Sequence, residues 1–337
     1  MSIKPPATLQ DVARAAGVSA KTVSRVVNGE PGVHAQTSTR VQQAIASLGY
    51  RRNDVARNLR KGISVSAVGL LIEDLGNPFY AILARAVELV ARRHGHALVI
   101  TSSAEDATHE RELLTDLLRR GMDGLLVVPA GHDHRYLDAA RRAGVPVVFL
   151  DRPPGGIEAD TVVLDNVVGA RIATRHLLAH GHRRIAYVGD AATVTTSGDR
   201  LAGYLEALDE VGIPRDDALI RLNPPQMDAS QASTRQLLAL DHPPTAFLAQ
   251  NNRNCLGVTR ALRSMDEVRA LVGIDDFELA DMLPTPVTVI GHDPADMGRT
   301  GAELLFARMA GDSRPPQRIT IPVRLVQRGS GELPPSP

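Results

Sequence analysis

The chain has little of what secreted, membrane-spanning and disulfide-rich proteins require. Its 337 residues include one cysteine, Cys255, and no tryptophan, and only 3% of the residues are aromatic. A single cysteine excludes a disulfide framework within the chain and a multi-thiolate metal site. No apolar run approaches the length of about eighteen residues that a membrane helix needs, and the first residues lack the apolar stretch of a signal peptide. We therefore expect a cytoplasmic protein with no membrane partner.

Net charge is zero only as an average over the chain. Residues 1–62 carry ten Lys and Arg against three Asp and Glu, a net charge of +7, which leaves −7 on the remainder. A basic head on an acidic body is typical of a nucleic-acid-binding segment joined to a separate domain. A purely structural DNA protein would be basic throughout.

The segment from Thr8 to Asn28 has the pattern of a helix-turn-helix. Thr8 and Asp11 have the spacing of a capping box, Gly17 suits the tight turn, and Ser19 suits the start of a second helix. The second helix should expose a small and polar face made of Ala20, Lys21, Ser24, Arg25 and Asn28. A recognition helix needs such a face to enter the major groove. The alternative is a small amphipathic helix pair that only packs.

Past this motif the pattern changes twice. A third helix is predicted over residues 35–48, which completes a headpiece of residues 1–50. Residues 51–62 are basic and hold too few apolar residues to fold alone, so they form a linker. From residue 63, apolar strands alternate with amphipathic helices, which is typical of parallel sheets covered on both faces.

Nine strands are predicted in residues 63–330, which is more than one domain comfortably holds. They are Val68–Ile72, Ala97–Thr101, Gly124–Pro129, Val145–Leu150, Thr161–Leu164, Ile185–Gly189, Thr245–Ala249, Ala270–Gly273 and Val287–Ile290. The helices between them are predicted near residues 79–94, 107–120, 133–143, 167–180, 200–211, 229–240, 254–264 and 295–309. We therefore expect an α/β core of two doubly wound parallel-sheet subdomains behind an all-α headpiece. Ligands of such sheets bind beyond the carboxyl ends of the strands, here in a cleft.

Enzyme chemistry has no support in the motifs. The chain lacks a Gly-x-Ser-x-Gly elbow, a phosphate-binding Gly-x-x-x-x-Gly-Lys loop and a Gly-x-Gly-x-x-Gly dinucleotide fingerprint. We therefore expect no catalytic residue and no cofactor. Three His-x-His pairs suggest metal ligands at first sight. Because those at His94 and His180 fall where a helix ends at glycine, helix caps explain them better, and no metal site is expected.

Characteristic motifs are spread over nearly the whole length of the chain. They are the Thr8 to Asn28 segment, Leu48-Gly49-Tyr50 with Asn53, Asn77-Pro78-Phe79-Tyr80, Asp123-Gly124-Leu125, Gly144-Val145-Pro146, His180-Gly181-His182-Arg183-Arg184, Arg200-Leu201-Ala202-Gly203-Tyr204, Gly273-Ile274-Asp275-Asp276 and Arg328-Gly329-Ser330. In these motifs the chain resembles the LacI/GalR family of bacterial transcription regulators. The resemblance implies a periplasmic-binding-protein-like core, a homodimer on a palindromic double-stranded DNA operator, and a small effector that changes DNA affinity. Four positions depart from the family. Arg52 replaces the usual linker proline, His34 replaces the serine that usually caps the third helix, Ser38 replaces the usual arginine, and Asn252 replaces the usual aspartate.

The resemblance also implies roles for residues of the headpiece and linker. Ala20 and Lys21 would choose the operator sequence, and Arg25 would contact a guanine. Contacts that set register on phosphates are expected from Thr8, Ser19, Thr22, Ser24 and Asn28. In the linker, a hinge helix would enter the minor groove, with Asn53 and Arg57 along the DNA backbone, Ala56 at the close approach of two helices, and Leu59 as a wedge.

For the effector, the resemblance points to residues at predicted strand ends or at a helix start. They are Asp151, Arg200, Asn251 and Asp275, whose carboxylate, amide and guanidinium groups suit sugar hydroxyls. Phe79 would stack on an apolar ligand face. A sugar or sugar derivative is favoured over a nucleoside. Neither the identity of the effector nor the direction in which it changes DNA affinity follows from these residues. A ligand-induced repressor, a corepressor-dependent repressor and a regulator that responds to another protein would all use the same cleft. A solute-binding protein without a DNA role would share the core but not the headpiece.

Boundaries within the core follow the predicted strands. We expect one subdomain over about residues 63–163 and 291–321 and the other over about residues 164–290 and 322–330. Residues 331–337 hold no leucine heptad, so we expect a disordered tail and a dimer formed by the core.

Leu59 distinguishes a DNA wedge from an ordinary packing residue. If Leu59 unstacks a base step, Leu59→Ala should weaken specific operator binding by roughly a few kcal/mol and reduce DNA bending, with effector binding unchanged. Operator affinity by titration and bending by gel mobility measure both effects. Full affinity and full bending in the variant, with a loss of core stability instead, would favour packing against the core.

Overall fold

A computed structural model describes residues 8–27, 33–48, 66–191, 194–223 and 226–335. The chain divides into two compact units between residues 65 and 66, and each is described by itself. Five residues predicted to contact DNA lie outside the described residues: Asn28, Asn53, Ala56, Arg57 and Leu59.

The first unit contains the predicted helix-turn-helix. Its described helices are α1 (Leu9–Ala16), α2 (Ala20–Val27) and α3 (Ala35–Leu48). The capping box at the start of α1 is present: Thr8 N donates to Asp11 Oδ2 at 2.9 Å, and Asp11 N donates to Thr8 Oγ1 at 3.3 Å. Gly17 ends α1 with φ of +63°, a left-handed conformation in which glycine carries no Cβ penalty. The buried stripes of the three helices meet in one small core, made of Val12, Ala13, Ala16, Val23, Val41 and Ala44.

The first sheet of the second unit is entirely parallel, with strand order β11-β5-β4-β3-β1-β2. Its strands are β1 (Ala67–Ile72), β2 (Ala97–Ser102), β3 (Gly124–Val127), β4 (Val147–Asp151), β5 (Asp160–Leu164) and β11 (Arg318–Ile321). Helices α4 (Pro78–Arg93) and α11 (Pro294–Met309) pack on one face. On the other face lies α5 (Ala107–Arg119), with the short α6 (Asp138–Arg142) close by in the chain.

The second sheet has the order β12-β10-β9-β8-β6-β7 and is parallel except for β12, which runs antiparallel to β10. Its strands are β6 (Ile185–Asp190), β7 (Ile220–Asn223), β8 (Ala246–Ala249), β9 (Ala270–Ile274), β10 (Thr288–Gly291) and β12 (Arg324–Val326). Helices α7 (Asn166–Ala179) and α8 (Thr195–Asp209) cover one face. Helices α9 (Met227–Leu238) and α10 (Asn252–Ser264) cover the other, with Cys255 buried between α10 and the sheet.

All nine predicted strands are present, and three others escaped prediction. The missed strands β7, β11 and β12 each span only three or four residues at the edge of a sheet. Edge strands are half exposed and therefore lack the continuous apolar run that marks a buried parallel strand. No described helix is both long enough and apolar enough to cross a membrane.

Histidines end two of the core helices, as their sequence context predicted. His94 is the C-cap of α4 and His180 the C-cap of α7, and each precedes a glycine with positive φ. Among the described residues, no group of three or more His, Cys, Asp or Glu side chains is placed to hold a metal ion.

The prediction of a disordered tail from residue 331 is wrong for residues 331–335. Glu332 lies with Oε1 2.7 Å from His176 Nε2 and accepts a hydrogen bond from Thr288 Oγ1 at 2.8 Å. The carbonyl of Leu333 accepts from His182 Nε2 at 2.8 Å. The absence of a leucine heptad misled the prediction, because hydrogen bonds to buried polar partners fix this segment.

The close contact between α7 and α8 requires glycine at position 203. A Cβ at Gly203 would lie 2.1 Å from the carbonyl oxygen of Val167, which the α7 backbone cannot relieve cheaply. We expect Gly203→Ala to lower the free energy of unfolding by about 1–3 kcal/mol, although alanine favours a helix over glycine by about 1 kcal/mol. The exposed neighbour Ala202 provides the control, since Ala202→Gly should cost only about 1 kcal/mol. Thermal melts of both variants measure these changes in stability. A Gly203→Ala variant more stable than the wild type would contradict the close approach of α7 and α8 at position 203.

Candidate functional site

The carboxyl ends of both sheets face one cavity of about 260 Å³. The five residues predicted for the effector all line it: Phe79, Asp151, Arg200, Asn251 and Asp275. Asp151 ends β4, and Asn251 and Asp275 follow β8 and β9. Phe79 lies in the first turn of α4 and Arg200 in α8, so both subdomains contribute.

Arg200 organises the wall contributed by the second subdomain. Its side chain is almost fully buried, with 5% exposed, and its Nε donates to Asn166 Oδ1 at 2.7 Å. Nη1 donates to the carbonyl of Gln250 at 2.7 Å, and Nη2 lies 3.3 Å from Asp275 Oδ1. A buried guanidinium needs such a set of partners, and these bonds fix the orientation of both Asp275 and the chain after β8.

Two cavity aspartates hold backbone conformations that non-glycine residues seldom adopt. Asp151 has φ of +66° and Asp275 has φ of +67°. Such strain is concentrated at functional sites, where surrounding structure over-determines it. Burial raises the pKa of the Asp151 carboxyl, although Arg152 and Arg200 oppose that rise. Both aspartates line the cavity at the carboxyl ends of their strands.

A second charged cluster, centred on Arg152, was not predicted from the sequence. Arg152 Nη1 donates to Glu105 Oε2 at 2.9 Å, and Nη2 donates to Glu73 Oε2 at 3.2 Å. The hydroxyl of Tyr80 also donates to Glu73 Oε2, at 2.8 Å. Burial, and then the neighbouring Glu105 charge, raise the pKa of Glu73 to about 7. Two carboxylates thus share one guanidinium in the wall contributed by the first subdomain.

Asp190 forms a third polar group in the cavity, at the end of β6. It accepts hydrogen bonds from Asn251 Nδ2 at 2.7 Å and from Asn254 Nδ2 at 3.0 Å. Asn251 is also the N-cap of α10, where its Oδ1 accepts from Asn254 N at 2.9 Å. Burial raises the pKa of Asp190. The predicted residue Asn251 therefore orients a carboxylate that the prediction omitted.

A simple signal could have found several of the omitted residues. Glu73 follows the predicted strand Val68–Ile72, Asp190 follows Ile185–Gly189, and Gln250 follows Thr245–Ala249. The rule that selected Asp151 and Asp275 applies to them equally. Glu105 and Arg152 differ, since only contacts between distant parts of the chain bring them into one cluster.

Two contacts join the subdomains directly across the cavity mouth. Asn252 Nδ2 donates to Asn77 Oδ1 at 2.9 Å, and Arg253 forms an ion pair with Asp74. Asn77 Oδ1 also caps α4 by accepting from Phe79 N at 3.1 Å, so it is fixed as the acceptor. An ionised aspartate at position 252 could not donate here. The amide of Asn252 therefore provides a bond between the two subdomains.

The wall formed by Ala130 and Gly131 is held from behind by Glu110. Its Oε2 accepts from Ala130 N at 2.5 Å and from Gly131 N at 3.2 Å, and Tyr136 donates to Oε1 at 2.9 Å. Burial alone would raise the pKa of Glu110, but bonds from His134 and Ala130 lower it. Glu110 thus positions the wall without touching the cavity.

In the headpiece, the described part of the predicted DNA face lies on α1 and α2. Ala20, Lys21 and Arg25 are exposed, and Ser24 is partly exposed. Thr8 caps α1, while Ser19 accepts a hydrogen bond from Thr22 N at 3.2 Å and so begins α2. The structure thus assigns the hydroxyls of Thr8 and Ser19 a capping role and leaves both residues exposed.

A helix-turn-helix unit and a two-sheet core with a polar cavity between its sheets define a ligand-responsive DNA-binding regulator. The chain belongs to the lacI family of bacterial regulatory proteins. Residues 8–53 match the family model described as "Bacterial regulatory proteins, lacI family", and residues 174–331 match "Periplasmic binding protein-like domain". The chain is a transcriptional regulator of this family.

Three relatives show how far the similarity extends. The HTH-type transcriptional regulator GalS of Salmonella typhimurium is 33% identical over 308 residues, which cover 90% of each chain. A structure described as the transcriptional regulator CelR-cellobiose complex is 31% identical with a TM-score of 0.71, covering 97% of this chain and 100% of that one. The lac repressor dimer bound to operator and the anti-inducer ONPF is 28% identical with a TM-score of 0.77, covering 97% and 99%.

The raised pKa of Glu73 makes a prediction about stability and pH. The folded protein keeps the Glu73 proton up to about pH 7, whereas the unfolded chain releases it near 4.5, so ionisation costs stability as pH rises between these values. Glu73→Gln should therefore match the wild type near pH 5 and exceed its stability at pH 8 by on the order of 2 kcal/mol.

Melting temperatures at the two pH values measure the difference. Glu278, which is exposed, supplies the control, because Glu278→Gln removes a carboxylate that is not buried. A difference between Glu73→Gln and wild type that stays constant from pH 5 to pH 8 would refute the raised pKa.

Proposed function

We propose that the protein is a transcriptional repressor that binds a palindromic operator as a homodimer and is switched by a small sugar-like effector. The observation that carries the proposal is the convergence of Phe79, Asp151, Arg200, Asn251 and Asp275 in one cavity, in a chain that also holds a helix-turn-helix. Their groups bind hydroxyls and an apolar ring face and offer no nucleophile with a paired base, so we propose no catalytic activity. Operator binding places the protein in the cytoplasm.

DNA recognition is assigned to the described face of α2 and to the linker. Ala20 and Lys21 open α2, where small and donor side chains reach base edges, and Arg25 lies one turn further along. Phosphate contacts are assigned to Thr8, Ser19, Thr22 and Ser24, with Asn28 following. Asn53, Ala56, Arg57 and Leu59 remain the proposed minor-groove residues, on the resemblance alone.

Homodimer formation has support in an apolar surface of the core. Helix α4 exposes Ile82 and Leu89, and the edge strand β2 exposes Val99 and Ile100. An uncovered edge strand with apolar side chains invites pairing or burial. The lac repressor, which shares the fold over most of its length, binds its operator as a dimer.

Effector binding would act through the relative position of the two subdomains. The cavity lies between them, and Asn77–Asn252 and Asp74–Arg253 join its two sides. A ligand that contacts Phe79 and Arg200 at once favours one arrangement over another by its differential affinity, with a coupling free energy of about 1–3 kcal/mol. A marginal linker helix can respond to such a change because it forms only when held.

The proposal is tested by measuring operator affinity with and without effector. An operator is first selected from random DNA with the full-length protein, and we expect an inverted repeat with half-sites about one helical turn apart. An effector is then identified by thermal shift against sugars and nucleosides. Effector should change operator affinity of the wild type by about 5–150-fold.

Arg200→Ala should keep operator binding and lose the response to effector, because Arg200 lies in the cavity wall. Arg215→Ala is the matched control, since Arg215 is exposed on the same subdomain and pairs only with Asp217 in the described structure. Because Arg200 is buried, Phe79→Ala on the opposite wall provides a second variant with less risk to folding. A wild type that selects no operator, or variants that respond fully to effector, would refute the proposal.

A further inference from the structure

We propose that the effector is an uncharged or positively charged polyhydroxyl compound and that the cavity excludes sugar phosphates and sugar acids. This inference rests on the proposed effector site and adds the charge class of its ligand. It follows from two observations: acidic side chains outnumber arginines in the cavity lining, and those arginines are already bonded to groups of the protein.

Carboxylates outnumber guanidiniums in the lining. The acidic residues that line the cavity are Glu73, Glu105, Asp151, Asp190 and Asp275. The arginines that line it are Arg152, Arg200 and Arg253. Protonation of Glu73 would still leave the carboxylates in excess. The cavity lining therefore carries a net negative charge before any ligand enters.

Each of the three guanidiniums is engaged by the protein. Arg152 bonds Glu73, Glu105 and the carbonyl of Pro129. Arg200 bonds Asn166, Asp275 and the carbonyl of Gln250. Arg253 pairs with Asp74 at the cavity mouth. An anionic ligand would add further negative charge beside guanidiniums whose charge is already balanced by protein carboxylates in a poorly solvated site.

Asp151, by contrast, has acceptor capacity to spare. Its carboxylate accepts no hydrogen bond from the described residues, and its nearest cation is Arg152, with Nε 3.5 Å from Oδ2. Asp151 is only 7% exposed, and that exposure is to the cavity. Two ionised oxygens offer about four acceptor positions. Hydroxyl or ammonium groups of a ligand can donate hydrogen bonds to these oxygens, whereas the Asp151 carboxylate would repel the phosphate or carboxylate group of an anionic ligand.

One feature of the cavity favours an anion, and it is weaker. Val194, Thr195 and Thr196 line the cavity at the start of α8, and Val194 supplies no side-chain cap. A helix N-terminus acts as roughly half a positive charge. That is less than the excess of whole negative charges in the lining, and its N–H groups serve sugar hydroxyl oxygens equally well.

The test compares matched sugars on the full-length protein. D-Glucose, D-galactose, D-ribose and cellobiose are each assayed beside the derivatives that exist for them: an amino sugar, a phosphorylated form and the aldonic acid. Thermal shift finds the binders, and calorimetry gives their dissociation constants. We expect the binders to be neutral or amino sugars, with the phosphate and aldonic acid of the same skeleton at least about 100-fold weaker.

Asp151→Asn tests the cause of the exclusion. Removing that charge should reduce the ratio of the dissociation constants of the anionic derivatives to that of the neutral sugar by about tenfold. Asp138→Asn is the matched control, because Asp138 pairs with Arg141 outside the cavity. This variant should leave the ratio of dissociation constants unchanged. A fold check by melting temperature accompanies both variants.

The outcomes separate this inference from the proposed function. An anionic sugar that binds as tightly as its neutral counterpart, or more tightly, overturns the inference and leaves a sugar-responsive regulator in place. If Asp151→Asn leaves the ratio of dissociation constants unchanged, the Asp151 charge is not the cause of the exclusion. That result contradicts the argument from the unbonded oxygens of Asp151. If no sugar of any charge binds, the sugar effector itself is refuted, and the inference with it.

Discussion

The buried guanidinium of Arg200 is the interaction on which the site depends. Removing such a charge from water is expensive unless every partner is in place. Asn166 at the start of α7, the chain after β8 and Asp275 after β9 are therefore all held relative to α8 by one side chain. Because these three come from separate parts of the sequence, the geometry of the cavity wall is set by an electrostatic requirement more than by apolar packing. Asp275 can keep its left-handed backbone because this network over-determines it.

Sequence patterns predicted the parts of the fold that are buried on both faces. Central strands such as β1 and β8 are continuous apolar runs, and three residues proposed for the effector at strand ends, Asp151, Asn251 and Asp275, line the cavity. Strand β7 was missed because its four residues lie at the edge of the sheet, are exposed or only partly buried, and form no continuous apolar run. The Arg152 cluster was missed because its three members lie 32 to 79 residues apart, and nothing local marks them as partners. The ordering of Glu332 depends likewise on His176 and Thr288, which are distant in sequence.

Two polar contacts among the described residues, Asn77–Asn252 and Asp74–Arg253, join the two subdomains. Asn252 illustrates how one substitution changes such a surface, because an amide can donate to Asn77 where an ionised carboxylate cannot. A single neutral bond of this kind contributes about 1 kcal/mol. That is comparable with the coupling free energies through which effectors act. The Asn77–Asn252 bond therefore lies where a small change in free energy can bias the relative position of the two subdomains.

The crossing of the chain between the sheets has a consequence for synthesis on the ribosome. The first sheet takes its edge strand β11 and its covering helix α11 from residues made after the whole of β6 to β10. The second sheet is likewise incomplete until β12 is made. The headpiece, whose core uses only residues before 49, can fold as soon as it emerges. Nascent chains therefore carry a folded helix-turn-helix unit before either half of the effector cavity is enclosed and before the core surface proposed for dimer formation is complete.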